Sequence, residues 1–181
     1  LDQGFWPDGI YTAPTDEALR FDLEQIKALG MNFVRKHAKV EPARWYYWAD
    51  KLGLMVWQDM PSLDVSLDIP VGPAPDPVPA AKKNFEHELS AMVDQLRSVT
   101  SIIGWVVFNE GWGQHDTERL TSGVQALDPT RLVSNASGWT DEKCGDVLDI
   151  HSYPDPATPP ADAKRAVVLG EFGGLGLGLP D

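Results

Sequence analysis

The amino-acid sequence predicts an α/β fold built on a parallel sheet. Short apolar runs rich in β-branched residues alternate with amphipathic segments at helical spacing, as in right-handed βαβ units. Several of these runs end abruptly in polar residues: 102–108 is followed by Asn109 and Glu110, and 166–170 by Glu171. Ligands gather at the carboxyl ends of parallel strands, so these carboxylates stand where a site is expected.

Composition restricts the function classes. The chain has 181 residues, 43% of them hydrophobic and 23% charged, which is typical of one globular domain or part of one. A net charge of −12 and no cluster of Lys or Arg disfavour a nucleic-acid partner. The apolar run 102–108 is too short to span a membrane, so no membrane partner is expected. Cys144 is the single cysteine, which excludes an internal disulfide.

In the first half of the chain, Gly and Pro punctuate a loop over 1–15, and Thr15 is expected to cap a helix that Gly30 ends. A strand over 31–36 follows. Pro42 is placed at the first position of a second helix, which Gly53 ends before a strand over 54–57. Six prolines between 61 and 79 predict a long surface loop that lies over the site.

In the second half, apolar residues at helical spacing predict a helix over 80–97 that leads into the strand 102–108. Asp116 is expected to cap a further helix, with Asp128 and Pro129 as its end. Three more strands are predicted over 131–135, 147–151 and 166–170, with only short connections between them. A partial strand at the extreme N-terminus brings the count to seven.

A doubly wound sheet and a (β/α)8 barrel both fit this alternation. Polar residues, however, lie at the C-terminal ends of successive predicted strands: Arg35, His37, Gln58, Asp59, Asn109, Glu110, Asn135, His151, Tyr153 and Glu171. A ring of polar groups around one mouth is typical of a barrel, whereas a doubly wound sheet has one crevice. The barrel is therefore favoured.

Four segments carry a family resemblance: DQGFWPDG at 2–9, RKH at 35–37, FNEGW at 108–112 and GEFGG at 170–174. In this order and spacing the chain resembles, nearly end to end, the catalytic domain of glycoside hydrolase family 2. The resemblance implies a (β/α)8 TIM barrel and a retaining glycosidase. The family's acid/base follows strand four and its nucleophile strand seven, and our strand count puts Glu110 and Glu171 there.

The resemblance also assigns further residues. Asn109 is implied as the partner of the sugar 2-hydroxyl, and Tyr153 and Arg35 as supports of the nucleophile. The implied sugar contacts are His37, Asp59, His151 and Asp8. Trp112 and Trp139 are expected to offer stacking surfaces, because the apolar face of a sugar packs on indole. A carbohydrate substrate is expected, and neither a cofactor nor a metal ion.

The chemistry requires the same residue types. Retaining hydrolysis uses two carboxyls about 5 Å apart, one protonated to release the leaving alcohol and one ionised to attack the anomeric carbon. A non-catalytic carbohydrate-binding barrel or an inactive fragment is the alternative. Intact Asn109, Glu110 and Glu171 favour the enzyme. The sugar and its linkage are not fixed by these motifs.

Chain length sets a last expectation. A (β/α)8 barrel typically takes about 250 residues. Residues 1–181 are therefore expected to be a partial TIM-barrel catalytic domain, incomplete at both ends, with strand one truncated and strand eight missing. We expect the remainder of a longer multidomain chain as partner, and inefficient hydrolysis by these residues alone.

Overall fold

The computed structural model describes residues 1–63 and 76–174. These ranges contain four helices and six strands, in the order α1 (Asp16–Ala28), β1 (Phe33–Lys36), α2 (Ala43–Leu52), β2 (Met55–Asp59), α3 (Pro79–Leu96), β3 (Ile102–Asn109), α4 (Thr117–Leu127), β4 (Leu132–Ser137), β5 (Val147–Ser152) and β6 (Ala166–Phe172). The expected long loop over 61–79 falls largely on 64–75, outside the described residues. No helix within the described ranges is long and apolar enough to cross a membrane.

The six strands form one parallel sheet in chain order, β1 to β6. This α/β arrangement confirms the prediction of an incomplete TIM barrel, because each strand lies beside its predecessor as in a barrel. The predicted seventh strand at the N-terminus is reduced to a single parallel bridge between Asp2 and Lys36. Among the described residues, β1 and β6 are therefore the open edges of the sheet.

The helix ends follow local chemistry, with two corrections. The Thr15 side chain accepts a hydrogen bond from the Ala18 N–H and caps α1, as predicted. Pro42 is the residue before α2 rather than its first residue. Asp116 precedes α4 in a left-handed conformation, but its side chain makes no capping bond. It pairs with Arg119 at 3.1 Å instead, because a full cation competes with the helix N–H groups.

The core has two parts, one on each face of the sheet. The larger part fills the space between sheet and helices, with Trp45, Phe85, Val93 and Trp105 among its members. The smaller part lies on the opposite, barrel-interior face around Trp57, Val106 and Val147. Successive residues of a strand point to opposite faces, so β1, β2 and β3 contribute to both parts.

This alternation separates the two cations of β1. Lys36 points toward the helices, where it pairs with Asp2 and Glu41 at 2.8 Å and lies 4.5 Å from the centre of the Trp45 ring. Arg35 points into the barrel interior and is 3% exposed. Its position makes Arg35 the centre of the site described next.

Candidate active site

Arg35 holds together side chains from four strands. Its guanidinium binds Asp59 in a bidentate manner, with both N···O distances 2.9 Å, and donates to Glu171 Oε1 at 2.8 Å. It also donates to Asn109 Oδ1 at 2.9 Å. Burial by itself would lower the pKa of Arg35. Attraction to Asp59 and the hydrogen bonds with it outweigh burial, and Asp149 and Glu171 add to this effect, so the pKa is raised overall. The site thus contains a permanent buried cation.

Glu171 lies near the carboxyl end of β6 and is held at both oxygens. Oε1 accepts from Arg35, and Oε2 accepts from the Tyr153 hydroxyl. Burial and the hydrogen bond to Glu171 raise the pKa of Tyr153 above its usual value, so the phenol keeps its proton and stays a donor. These donors fix the direction in which Glu171 points.

Glu110 follows β3 directly, in a left-handed backbone conformation with φ of 52°. This conformation is uncommon for residues other than glycine and is often found at functional sites. The Glu110 N–H donates to the Ser137 carbonyl at 2.8 Å, which anchors the turn. One Glu110 carboxyl oxygen lies within 4.8 Å of a Glu171 carboxyl oxygen, with His151 within the same distance of both.

Asn109 ends β3 beside Glu110 and is 3% exposed. Its Oδ1 accepts from Arg35. An arginine can only donate, so this contact fixes the orientation of the amide. The NH2 group has no acceptor among the described residues and can donate to another molecule. The geometry suits a donor to a hydroxyl bound at the mouth.

Asp59 and His37 form the rear wall of the site. Asp59 is 1% exposed, and its oxygens are engaged by Arg35 and by His37 Nδ1, the latter at 2.7 Å. A carboxylate so enclosed supports its neighbours. The sugar contact that the resemblance implied for Asp59 stays a prediction.

Four of the seven tryptophans lie near predicted strand ends or loops, and two of these four are buried and two exposed. Trp6 and Trp57 are 6% and 7% exposed and belong to the core. Trp112 and Trp139 are 37% and 54% exposed, and the Trp139 ring lies edge-on to His151 with centroids 5.9 Å apart. Asp8 is exposed in the turn between Trp6 and Ile10, and no described side chain bonds it to the other site residues.

Two polar residues of the predicted ring lie away from the mouth. Gln58 points toward the helices, where its Oε1 accepts from the Tyr46 hydroxyl at 2.6 Å. Asn135 is buried and donates to Asp141 and to the Cys144 carbonyl, so it holds the 138–146 loop. Strand β4 continues to Ser137, two residues beyond the predicted end, and Ser137 is the residue that reaches the site.

Sequence reasoning missed three residues next to the carboxylates. The Ser137 hydroxyl lies 2.6 Å from His151 Nε2. Gly138 has φ of 111°, and a Cβ there would lie 3.2 Å from Glu110 Cγ. Asp149 is fully buried on the interior face, in the space that Gly170 leaves free, since a Cβ at 170 would lie 2.0 Å from Asp149 Oδ1. The sequence signal for two of these residues was the Ser137-Gly138 pair at the end of a buried strand.

The two buried carboxyls Asp149 and Asp128 are expected to affect stability with opposite signs. Burial raises the pKa of Asp149, so the folded state holds this proton more tightly than the unfolded state. Protonated Asp149 therefore stabilises the folded state below about pH 4, and this stabilisation declines as the pH rises through the folded-state pKa. Asp149→Asn should therefore equal or raise the thermal unfolding midpoint of the full-length protein at pH 7.

Asp128→Asn is the matched control. Burial raises the pKa of Asp128, but hydrogen bonds from Thr130, Arg131 and Trp105 outweigh it and lower the pKa to about 2. Ionised Asp128 therefore stabilises the folded state above about pH 4, and this stabilisation is lost as the pH falls toward 2. Asp128→Asn should lower the free energy of unfolding by about 2 kcal/mol at pH 7. If both variants lose stability at pH 7, Asp149 is ionised in the folded protein.

Two groups of described side chains have metal-ligand spacing: Glu110, His151 and Glu171, and Glu86, His115 and Asp116. In the first group Arg35 lies 2.8 Å from Glu171 and 3.4 Å from His151. In the second, Arg119 binds Glu86 at 2.6 Å and Asp116 at 3.1 Å. Each group thus already contains a guanidinium that compensates its carboxylates.

Comparison with known proteins gives the family. The model of the glycosyl hydrolases family 2 TIM barrel domain matches residues 13–162. The chain belongs to glycoside hydrolase family 2. Among its relatives are a putative β-glucuronidase of Formosa agariphila, 29% identical over 70% of this chain, and a β-galactosidase of Klebsiella pneumoniae, 27% identical over 82%. This family 2 chain spans only 16% and 15% of their lengths.

Two solved structures share the fold. A β-D-glucuronidase from Dictyoglomus thermophilum superposes with a TM-score of 0.65 at 17% identity, over 83% of this chain and 28% of that one. A β-galacturonidase from Eisenbergiella tayi, bound to galacturonate, gives 0.65 at 18% identity, over 83% and 27%. The half-barrel therefore shares its fold with these two enzymes.

Proposed function

We propose that this chain forms the catalytic core of a retaining β-glycosidase, with Glu110 as acid/base and Glu171 as nucleophile. The observation that carries the proposal is the separation of the two carboxyl groups, whose oxygens lie within 4.8 Å. Retaining glycosidases hold these groups about 5–5.5 Å apart, whereas inverting enzymes leave about 6.5–9.5 Å for a water molecule. The short separation favours double displacement.

The environments of the two carboxyls support the division of roles. Glu171 accepts hydrogen bonds from Arg35 and Tyr153, an environment that holds an ionised carboxylate ready to attack. Glu110 makes no contact with an arginine in the described residues, and its hydrogen-bond partner is His151. It is the carboxyl that can carry a proton for the leaving oxygen.

In the proposed reaction, Glu171 attacks the anomeric carbon while the Glu110 proton moves to the glycosidic oxygen, and the alcohol leaves. Glu110, now ionised, takes a proton from water. The water oxygen attacks the same carbon and displaces Glu171. Both steps invert the anomeric centre, so the net configuration is retained.

A panel of fluorogenic glycosides, tested on the full-length protein, measures this function directly. The panel carries β-galactoside, β-glucuronide, β-mannoside and α-arabinoside, since relatives are named β-glucuronidase and β-galactosidase. Turnover of at least one substrate is expected. Binding without turnover across the panel would favour a non-catalytic carbohydrate-binding barrel.

Asn109→Ala tests the proposed contact to the 2-hydroxyl. Hydrogen bonds to this hydroxyl strengthen at the transition state, so kcat and kcat/KM should fall together by about 100-fold. Asn84→Ala, on the surface of α3, should change neither. The wild-type enzyme should also discriminate against a 2-deoxy glycoside, and Asn109→Ala should not. A variant that raises only KM would contradict the role.

The open edges of the sheet support a further part of the proposal. Strands β1 and β6 have no strand partner beyond Asp2 in the described residues, and unpaired edges beside an apolar interior favour association. We expect sequence outside 1–181 to complete the barrel. Residues 1–181 alone should therefore hydrolyse glycosides inefficiently and unfold less cooperatively than the full-length protein. Equal activity and a sharp monomeric transition would contradict this expectation.

A further inference from the structure

His151, which the resemblance implied as a sugar contact, lies between the two carboxyl groups. It belongs to β5, and its side chain is fully shielded from solvent. Nδ1 lies 2.8 Å from Glu110 Oε1, and Nε2 lies 3.4 Å from Glu171 Oε1. Its two nitrogens therefore face the two proposed catalytic residues.

The surroundings of Nε2 decide which nitrogen carries the proton. Nε2 lies 2.6 Å from the Ser137 hydroxyl and 3.4 Å from Arg35 Nη1. Arginine can only donate, and a hydroxyl can rotate to donate, so these two neighbours favour a lone pair on Nε2. Glu171 Oε1 is also 3.4 Å from Nε2, but it already accepts from Arg35 at 2.8 Å. The proton of a neutral imidazole therefore sits on Nδ1, facing Glu110.

Gly138 allows the imidazole and the carboxyl to approach. A Cβ at this position would lie 3.2 Å from Glu110 Cγ and 3.4 Å from His151 Nδ1, and φ is 111°. A side chain there would be strained and would push the pair apart. The close contact between His151 and Glu110 is thus shaped by strand β4 and the residue that follows it.

We propose that His151 is a positioning residue that anchors Glu110 through an Nδ1–H···Oε1 hydrogen bond, with Ser137 and Arg35 holding the imidazole in that tautomer. The inference rests on the proposed function of Glu110. Because Oε1 is occupied by His151, Oε2 is the oxygen that gives its proton to the leaving group and later takes one from water. His151 keeps its own proton throughout, so no further acid or base is required.

The two half-reactions should depend on His151 to different degrees. In deglycosylation Glu110 acts as a base and must point at the attacking water, and the 2.8 Å contact with Nδ1 fixes the direction of its carboxyl group. A dinitrophenyl glycoside needs little acid assistance in the first step. With this substrate, loss of the anchor should lower kcat, which deglycosylation limits, and leave kcat/KM nearly unchanged.

The test compares variants of the full-length protein on a dinitrophenyl glycoside of a sugar it hydrolyses. His151→Leu should lower kcat about 10- to 100-fold, the range for a hydrogen bond to a charged group, and keep the burst of dinitrophenolate. Azide, which needs no general base, should restore its turnover. His151→Asn keeps an N–H donor near the position of Nδ1 and should retain most of kcat.

Ser137→Ala and Ser134→Ala are a matched pair on β4. Both serines are buried, but the Ser134 hydroxyl has no partner among the described residues. Ser137→Ala should lower kcat about 5-fold and Ser134→Ala should leave it unchanged. If His151→Leu does not fold, the two serine variants and His151→Asn still test whether His151 positions Glu110.

Equal effects of the two serine variants, or equal losses in kcat and kcat/KM for His151→Leu and His151→Asn, would overturn the positioning role. The proposed function fails in a different way: the wild-type enzyme would then give no burst and no covalent adduct on Glu171. A wild-type enzyme that forms the adduct, together with an unaffected His151→Leu variant, would reject the positioning role alone.

Discussion

Glu171→Ala is expected to lower kcat on ordinary glycosides by about 10⁴-fold or more, since no other group can form the covalent intermediate. The empty space should admit azide. Azide would attack a β-glycoside with a good leaving group from the side that Glu171 occupied, and the product would be the α-glycosyl azide, of inverted configuration. Product configuration by NMR is the measurement.

Glu110→Ala is the paired control. This variant keeps the nucleophile, so the glycosyl enzyme forms with an activated substrate, and azide replaces water in the second step. The product is expected to be the β-azide, of retained configuration. The two substituted residues belong to one site, with carboxyl oxygens within 4.8 Å of each other. A difference in product configuration would therefore reflect the different catalytic roles of the two residues. Identical azide products would rule out the proposed mechanism.

Arg35→Met is expected to cause the largest loss of stability. The substitution leaves Asp59 and Glu171 as buried, uncompensated carboxylates, and breaking a buried ion pair in this way costs about 3–5 kcal/mol. Activity should fall as well, because Asn109 and Glu171 lose the donor that orients them. Arg35→Lys keeps the charge but not the bidentate geometry, and should lie between. Thermal unfolding and glycoside hydrolysis of the full-length protein are the readouts.

Arg44→Met provides the matched control for this prediction. Arg44 pairs with Asp16 at 2.7 Å, but the two side chains are 56% and 37% exposed. Exposed ion pairs contribute about 0–1 kcal/mol, because water screens the charges. Similar destabilisation by Arg35→Met and Arg44→Met would mean that the buried network around Arg35 does not hold the site together.

Much of the fold could be predicted because local signals and tertiary structure agree. Thr15 caps α1 and Gly53 ends α2 in a left-handed conformation, as their chemistry favours. Glu110 and Glu171 were placed correctly at the mouth, since apolar runs that end in a carboxylate mark the carboxyl ends of parallel strands. Such signals lie within a few residues of one another in the chain.

The remaining features depend on contacts between distant residues. Ser137 rather than Asn135 reaches the site because β4 runs two residues further than the apolar pattern indicated. Asp149 has room because Gly170 on β6 has no side chain, and a Cβ there would lie 2.0 Å from Asp149 Oδ1. His151 occupies the space between Glu110 and Glu171 because three strands converge there. No single segment of sequence contains this information.

Trapping the covalent intermediate tests the central assignment most directly. The full-length enzyme is incubated with a 2-fluoro glycoside that carries a good leaving group, digested, and analysed by mass spectrometry. The slow second step should allow the glycosyl enzyme to accumulate. Label on Glu171 is the predicted result, with none in Glu171→Ala. Label on Glu110 would contradict the assignment of the two roles.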